Sequence, residues 1–317
     1  MNLLRTITVA MAIYRPNIKW LKEELLSLQK QTFRDFQILV WNDDPADSYD
    51  YYRMFQEYFS DIPFEIYQGT ENLGSNKAFE KLTSLTQTKY IAYCDQDDIW
   101  KPEKLQTSWE LLQNDGTNLV YSDTAVIDAN SQPLYNDISY VRPRQKYYEQ
   151  NVLQHLLIKN FVTGCTILMP SAVAKKAMPF PDSVFHDWWL AIAAAMQGNL
   201  VKAPHPLIDY RIYGNNQSGI LRGVEDKATY YQNYLQPYYQ FISAVRKKYP
   251  ENPSVEPYMA WGEARKRYFK TPSLKNAKDL LVMKKLASET VYFELLLPWF
   301  PDQVFKKILK RIKGKYN

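Results

Sequence analysis

Three carboxylates stand within four positions in Asp95-Gln96-Asp97-Asp98, directly after the apolar run Tyr90-Ile91-Ala92-Tyr93-Cys94. The run has the length of a buried strand, and ionised Asp cannot carry it further into a core without a partner. Carboxylates gathered at a strand's carboxyl end suit a hard divalent cation, Mg2+ or Mn2+, which takes oxygen ligands and can also hold a substrate's phosphates. The competing reading is an acidic turn, because Asp is a common turn residue.

Hydrophobic spacing shows which elements must position these acids. Residues 7–14 read as a buried strand closed by Arg15-Pro16-Asn17, and Trp20, Leu21, Leu25 and Leu28 fall at helical spacing. Residues 36–41 form a second expected strand that also ends in acid, Asn42-Asp43-Asp44. A helix over 49–59, a strand over 64–67 and a helix opened by Asn72-Leu73-Gly74-Ser75 lead to the central strand. Strand and helix thus alternate four times in the first hundred residues, which predicts βαβ units and a mainly parallel sheet flanked by helices. Ligands of such sheets bind beyond the carboxyl ends of the strands. Asp43, Asp44, Asp95, Asp97 and Asp98 should therefore share one crevice.

Further along, a helix over 102–112, a strand over 119–123 and a polar loop over 128–150 are expected. Residues 161–170 read as a strand whose Gly164 marks a close approach of backbone or ligand. His186-Asp187-Trp188-Trp189 opens an apolar helix, and short strands over 200–203 and 207–213 follow. From about residue 221 the pattern is helical, with segments over 230–248, 257–269, 277–297 and 303–313. Residues 1–220 and 221–317 are the expected domains. In the last helix Val304, Phe305, Ile308 and Leu309 interleave with Lys306, Lys307, Lys310 and Arg311. That pattern suits either an anionic membrane surface or a helix docked on its own domain with a solvated basic face.

The 317 residues are 46% hydrophobic and 23% charged, so the chain folds with a sizeable core. Cys94 and Cys165 are the two cysteines, which gives no disulfide framework or metal-ligand spacing and fits a reducing compartment. The amino-terminal residues carry no cleavable signal pattern, and no apolar run is long enough to span a bilayer. A cytoplasmic location is expected, with peripheral attachment at the inner membrane face if the basic helix binds lipid. An acidic crevice repels phosphate chains, so nucleic acid is not an expected partner.

In order and spacing, these motifs resemble the family 2 glycosyltransferases of GT-A (Rossmann-like) fold, including bacterial rhamnosyltransferase-like members, over roughly residues 5–220. The resemblance implies an α/β catalytic domain with a helical carboxyl-terminal extension, and an inverting transfer from a nucleotide-sugar donor, UDP- or dTDP-linked, to a glycan or lipid-linked acceptor. It implies that Asp43 and Asp44 read base and ribose, and that Ala12, Tyr14, Asn72, Gly74, Lys77, Asp95, Gln96 and Arg211 complete the nucleotide set. Asp97 with Asp95 or Asp98 resembles the metal motif, and Asp187 holds the place of the catalytic base. His186, Trp188 and Trp189 are expected near substrate, although neighbouring helical residues point apart, so at least one Trp should be core. Tyr210-Arg211-x-x-Gly214-Asn215-Asn216 resembles the ending of these transferases, with Tyr213 where a His often stands. No Gln-x-x-Arg-Trp motif is present, which points away from a processive synthase. The rival readings are a catalytically silent scaffold of the same fold and a nucleotidyltransferase. The latter usually has a glycine-rich loop after its first strand, and Ala12-Ile13-Tyr14-Arg15-Pro16 is not one.

Overall fold

A computed structural model describes residues 5–142, 145–214 and 223–314. In order the elements are β1 (Ile7–Ile13), α1 (Ile18–Gln29), β2 (Phe36–Asn42), α2 (Tyr51–Tyr58), β3 (Phe64–Gln68), α3 (Ser75–Leu85), β4 (Tyr90–Cys94), β5 (Ile99–Trp100) and α4 (Lys104–Leu112). Then come β6 (Thr117–Tyr121), β7 (Ala125–Ile127), β8 (Pro133–Tyr135), α5 (Val152–Leu156), β9 (Leu168–Pro170), α6 (Ser171–Ala177), α7 (His186–Ala195), β10 (Asn199–Lys202) and β11 (Ile208–Arg211). Two compact units result: Met1–Ser139 with Gln145–Leu153 and Phe161–Asn215, and Tyr140–Arg144 with Gln154–Asn160 and Asn216–Asn317.

The first unit holds a seven-stranded sheet of order β10-β6-β9-β4-β1-β2-β3. β1 runs parallel to both β2 and β4, and β2 runs parallel to β3. Val9, Met11, Ile38, Val40, Ile91 and Ala92 are fully buried, as expected of strands covered on both faces. Helices are started by local caps: Asn17 Oδ1 accepts from the Lys19 and Trp20 amides, and Asp50 accepts from Arg53 N. Leu21, Leu25 and Leu28 then turn the inner face of α1 to the core. A four-stranded sheet, β5-β11-β7-β8, contains β11, which falls in the strand expected over 207–213, and β8, which lies in the segment read as loop.

The mixed α/β architecture is the expected one, with one exception in direction. β9 is antiparallel to β4 and to β6, and it has three residues rather than the ten read from 161–170. The remainder of that segment turns through a short 3-10 helix at Gly164–Thr166. Because β2, β1 and β4 are parallel neighbours, Asp43, Asp44 and Asp95 emerge at one edge of the sheet.

The second unit is helical. After α8 (Lys227–Tyr230) and a π-helical turn at Tyr231–Leu235 come α9 (Gln236–Lys248), α10 (Glu256–Lys270), α11 (Leu274–Val282), α12 (Ser288–Leu296) and α13 (Asp302–Gly314). The single helix expected over 277–297 is two, separated by a 3-10 turn at Met283–Lys285 and an extended Ala287. A buried ion pair organises this unit: Arg265 Nε lies 2.9 Å from Glu294 Oε2 and its Nη2 lies 2.6 Å from Oε1. Tyr230 donates to the same carboxylate at 2.9 Å, and the guanidinium stacks 4.4 Å from the Trp261 ring centre. The apolar face of α13 is turned inward, with Phe305 and Leu309 packed among Val224, Tyr230, Leu235 and Leu297. Phe305 and Leu309 thus sit as the docked reading of this helix expects, with Lys306, Lys307 and Lys310 exposed.

Candidate active site

The acid motif leaves β4 and is held by the strand that follows it much later in sequence. Arg211 N on β11 donates to Asp98 Oδ1 at 3.0 Å, and the Arg211 guanidinium donates to Asp97 O at 2.8 Å. The same guanidinium reaches Ser131 Oγ and, at 2.7 Å, Glu23 Oε2. Its side chain is 0% exposed. Arg211 is therefore an internal clamp on the acid loop, and the expected phosphate contact from it is corrected: a buried guanidinium saturated by carboxylate and carbonyls cannot face a diphosphate.

Asp97 and Asp98 take different partners. Tyr213 Oη donates to Asp97 Oδ2 at 2.5 Å, with the Tyr213 ring 4.7 Å from that of Trp20. Asp95, Asp98 and the Cys165 thiol each offer a ligand atom within 4.8 Å of one another. Asp98 Oδ2 is buried and, among the described residues, has no hydrogen-bond partner. Burial, with the charges of Asp97 and Asp187 added, pushes the Asp95 carboxyl up to about 7. Asp97 and Asp98 are raised as well, first by burial. Crowded, desolvated carboxylates with an orphaned oxygen are a donor set that lacks positive charge, and hard oxygen donors of this kind fit Mg2+ or Mn2+. Asp97 lies outside the Asp95–Asp98–Cys165 group, so the three acids do not form a single cluster.

Behind this loop lies a second layer of buried groups. Cys94 Sγ donates to Glu24 Oε1 at 3.1 Å, and burial raises the Glu24 carboxyl well above the usual range. Lys104, wholly buried over the Trp100 ring at 3.3 Å, is lowered to about 8 by desolvation.

Asp187 stands in the first turn of α7, half-buried, with Oδ1 accepting from Trp188 N at 2.6 Å. It is linked to the acid loop through Gly164, which abuts it, and the adjacent Cys165, which groups with Asp95 and Asp98. Gly164 closes in from the other side. A Cβ there would meet His186 Nε2 at 2.8 Å and Asp187 Cβ at 3.4 Å, so the close approach expected at this glycine is to the start of α7. His186 is buried, its ring centre 4.2 Å from that of Phe79, and neither ring nitrogen has a hydrogen-bond partner among the described residues. Desolvation lowers it to about 3. Its ring packs on those of Phe79 and Tyr93. Trp189 is also core, 2% exposed with Nε1 donating to Ala177 O, whereas Trp188 is half-buried.

The expected nucleotide residues divide into two groups. Asp43, nearly buried, accepts from Leu73 N and Gly74 N at 3.0 and 2.8 Å, so it pins the 72–74 turn to β2. Asn72 Oδ1 also accepts from Gly74 N, and Gly74 sits at φ 75°, a conformation glycine adopts freely. Asp44 accepts from Arg15 Nε at 2.7 Å, which holds its carboxyl below the usual range. Gln96 clips the main chain of Tyr14, accepting from its N and donating to its O, and this leaves the Tyr14 ring 40% exposed at the end of β1 beside half-buried Ala12. Lys77 corrects a second expectation: its ammonium is held by Glu80 Oε2, Phe180 O and Asp182, and does not project free toward a phosphate. Asn215 and Asn216 of the ending motif lie outside the described residues.

Two members of the site were not legible beforehand. Cys165 carries no spacing signal, and the ending motif shows Tyr213 only as standing where a His is common. Both meet the acids through chain reversals.

The chain was compared with known proteins. The family model "Glycosyl transferase family 2" matches residues 8–175, just over half of the chain. An uncharacterised glycosyltransferase of Methanocaldococcus jannaschii is 25% identical over 195 residues, 59% of this chain and 64% of the relative. A UDP-Glc:alpha-D-GlcNAc-diphosphoundecaprenol beta-1,3-glucosyltransferase of Escherichia coli is 23% identical over 174 residues, 55% of this chain and 64% of the relative. Each match thus spans less than two thirds of the curated relative's length. Among solved structures, residues 1–349 of S. aureus TarS with UDP-GlcNAc superpose with a TM-score of 0.58 at 13% identity, covering 92% of this chain and 84% of that one. The Pyrobaculum calidifontis mannosyltransferase PcManGT with GDP-Man and Mn2+ gives 0.55 at 16% identity, covering 96% and 84%. With its sheet, acid loop and family match together, the chain belongs to glycosyl transferase family 2.

Proposed function

We propose that the protein is an inverting, metal-dependent, non-processive glycosyltransferase that moves a hexosyl or rhamnosyl group from a UDP- or dTDP-linked donor to a glycan or lipid-linked acceptor. The observation that supports this reading is that Gly164 abuts Asp187 while the next residue, Cys165, groups with Asp95 and Asp98 of the acid loop. Support for a nucleotide-sugar donor and a divalent ion comes from relatives whose names include UDP-GlcNAc, or GDP-Man with Mn2+. Support for a lipid-linked acceptor comes from the E. coli relative, named for a diphosphoundecaprenol substrate.

In this reading Asp97, with Asp95 or Asp98, would hold the ion, with Tyr213 fixing Asp97 through its hydroxyl. When bound, the ion supplies positive charge against the negative charge that grows on the departing diphosphate. Asp187 takes the proton of the acceptor hydroxyl. That oxygen forms its bond to the anomeric carbon from the face opposite the diphosphate, while the bond from carbon to diphosphate oxygen breaks and its electron pair leaves with the nucleotide. Asp43 and Gly74 keep the 72–74 turn in place beside β2, and the exposed Tyr14 ring offers a face for the base.

A transfer assay with purified Asp187→Asn tests the base. The amide keeps the size of the side chain and cannot take the proton, so kcat should fall by about 10²–10⁴-fold while donor binding is retained. Near-normal turnover would remove Asp187 from the mechanism.

A further inference from the structure

The apolar face of α13 is closed against its own unit, yet that unit leaves other apolar side chains outside. α11 and α12 pack on one another. Each turns one face inward, through Leu280 on α11 and Val291 and Glu294 on α12. The opposite faces carry two apolar stripes at helical spacing. On α11 these are Leu274, 92% exposed, with Leu281 and Val282; on α12 and the turn after it they are Tyr292, Leu296 and Trp299, the last 72% exposed. Leaving this many large apolar side chains in water is unusual unless a partner covers them.

Charge says which partner. Between residues 270 and 289 the chain carries five lysines, at 270, 275, 278, 284 and 285, and two acids, Asp279 and the exposed Glu289 at the start of α12. Asp279 is already taken by Arg267 at 2.9 Å. A second copy of the chain docking by a two-fold axis would set this lysine-rich face against itself. A surface that is apolar within and negative at its rim satisfies both features. An exposed Trp beside Leu and Tyr, ringed by Lys, is the composition that settles at a bilayer interface.

We propose that the outer face of α11 and α12, centred on Leu281, Leu296 and Trp299, docks on an anionic phospholipid surface. This surface is separate from α13, whose basic amphipathic pattern suits either a membrane or a docked helix, and it stands independently of the transfer chemistry. Among the described residues no helix is long and apolar enough to cross a membrane, so the contact is one of lying on the surface.

Co-sedimentation of the full chain with extruded vesicles tests this, with no donor or metal needed. Binding is expected to vesicles of phosphatidylglycerol and phosphatidylcholine, to weaken with salt, and to be slight with phosphatidylcholine alone. The double variant Leu296→Ser/Trp299→Ser should lower partitioning by roughly tenfold. Lys278→Glu/Lys284→Glu/Lys285→Glu should lower it by at least about fivefold per cation removed. The exposed pair Lys175→Glu/Lys176→Glu on α6, checked for folding like the others by circular dichroism, should bind nearly as wild type. Absence of wild-type binding, equal binding to neutral vesicles, or patch variants that bind like the parent would overturn the proposal. So would a dimer in light scattering that Leu296→Ser/Trp299→Ser dissolves, since that gives the face to a second copy.

Discussion

Each unit buries ionised side chains, and the two do it in opposite ways. In the helical unit Arg265 and Glu294 share three charge-assisted contacts, Tyr230 completes the carboxylate, and aromatic rings cover the guanidinium. In the sheet unit Glu24 Oε2, Asp98 Oδ2 and Lys104 Nζ are buried without a hydrogen-bond partner among the described residues. Burying a charge is costly unless it is paired. The first cluster meets that requirement internally and is structural. The second leaves it unmet at the carboxyl end of the central strand, where a ligand of this fold class sits, and so marks the site.

Substitutions can break this contrast. The largest effect on stability is expected in the satisfied cluster. Glu294→Ala leaves Arg265 buried and unpaired, and should destabilise the helical unit by about 3–5 kcal/mol. Chemical denaturation followed by circular dichroism reads this directly, and a loss below 1 kcal/mol would mean that the pair is more hydrated than its burial indicates.

His186 should give the next largest effect, and it depends on pH. Its folded-state value near 3 lies below the ordinary 6.5, so the folded protein binds fewer protons than the unfolded chain between them. Its contribution is complete above pH 6.5 and is lost as pH falls toward 3. At pH 5 the loss is about 2 kcal/mol. His186→Phe, which keeps the packing on Phe79, should flatten the fall in stability between pH 7.5 and 5; an unchanged slope would show that His186 protonates freely in the folded state.

The smallest change is expected in the unmet cluster. Asp98→Asn replaces a buried, desolvated carboxyl with an amide whose oxygen can still accept from Arg211 N, so it should stabilise the apo protein by about 1 kcal/mol. It should also weaken metal-dependent nucleotide binding. A clear destabilisation would place Asp98 with Glu294 as a structural acid and dissolve the contrast.

The sequence made some of this legible and not the rest, for physical reasons. The alternation of buried strands and capped helices indicated a mainly parallel sheet, and strand ends located Asp43, Asp95 and their neighbours. Strand direction leaves no mark in a short apolar run, so the reversal of β9 could not be seen, nor the meeting of Cys165 with Asp95 that follows from it. Basic residues were the least readable. Arg211 and Lys77 look like phosphate ligands as letters, but their partners Glu23 and Asp182 lie 188 and 105 positions away in the chain. The amphipathic pattern of α13 gave its two faces without saying what covers the apolar one.

The central claim is that the acid loop binds a nucleoside diphosphate through a divalent ion. Isothermal titration of UDP, dTDP and GDP, with and without Mn2+, into wild type and Asp97→Asn tests it most directly. The account predicts binding of UDP or dTDP to wild type only with Mn2+ present, and loss of that binding in Asp97→Asn while the protein stays folded. Equal binding with and without Mn2+, or an Asp97→Asn protein that binds like the parent, would contradict it.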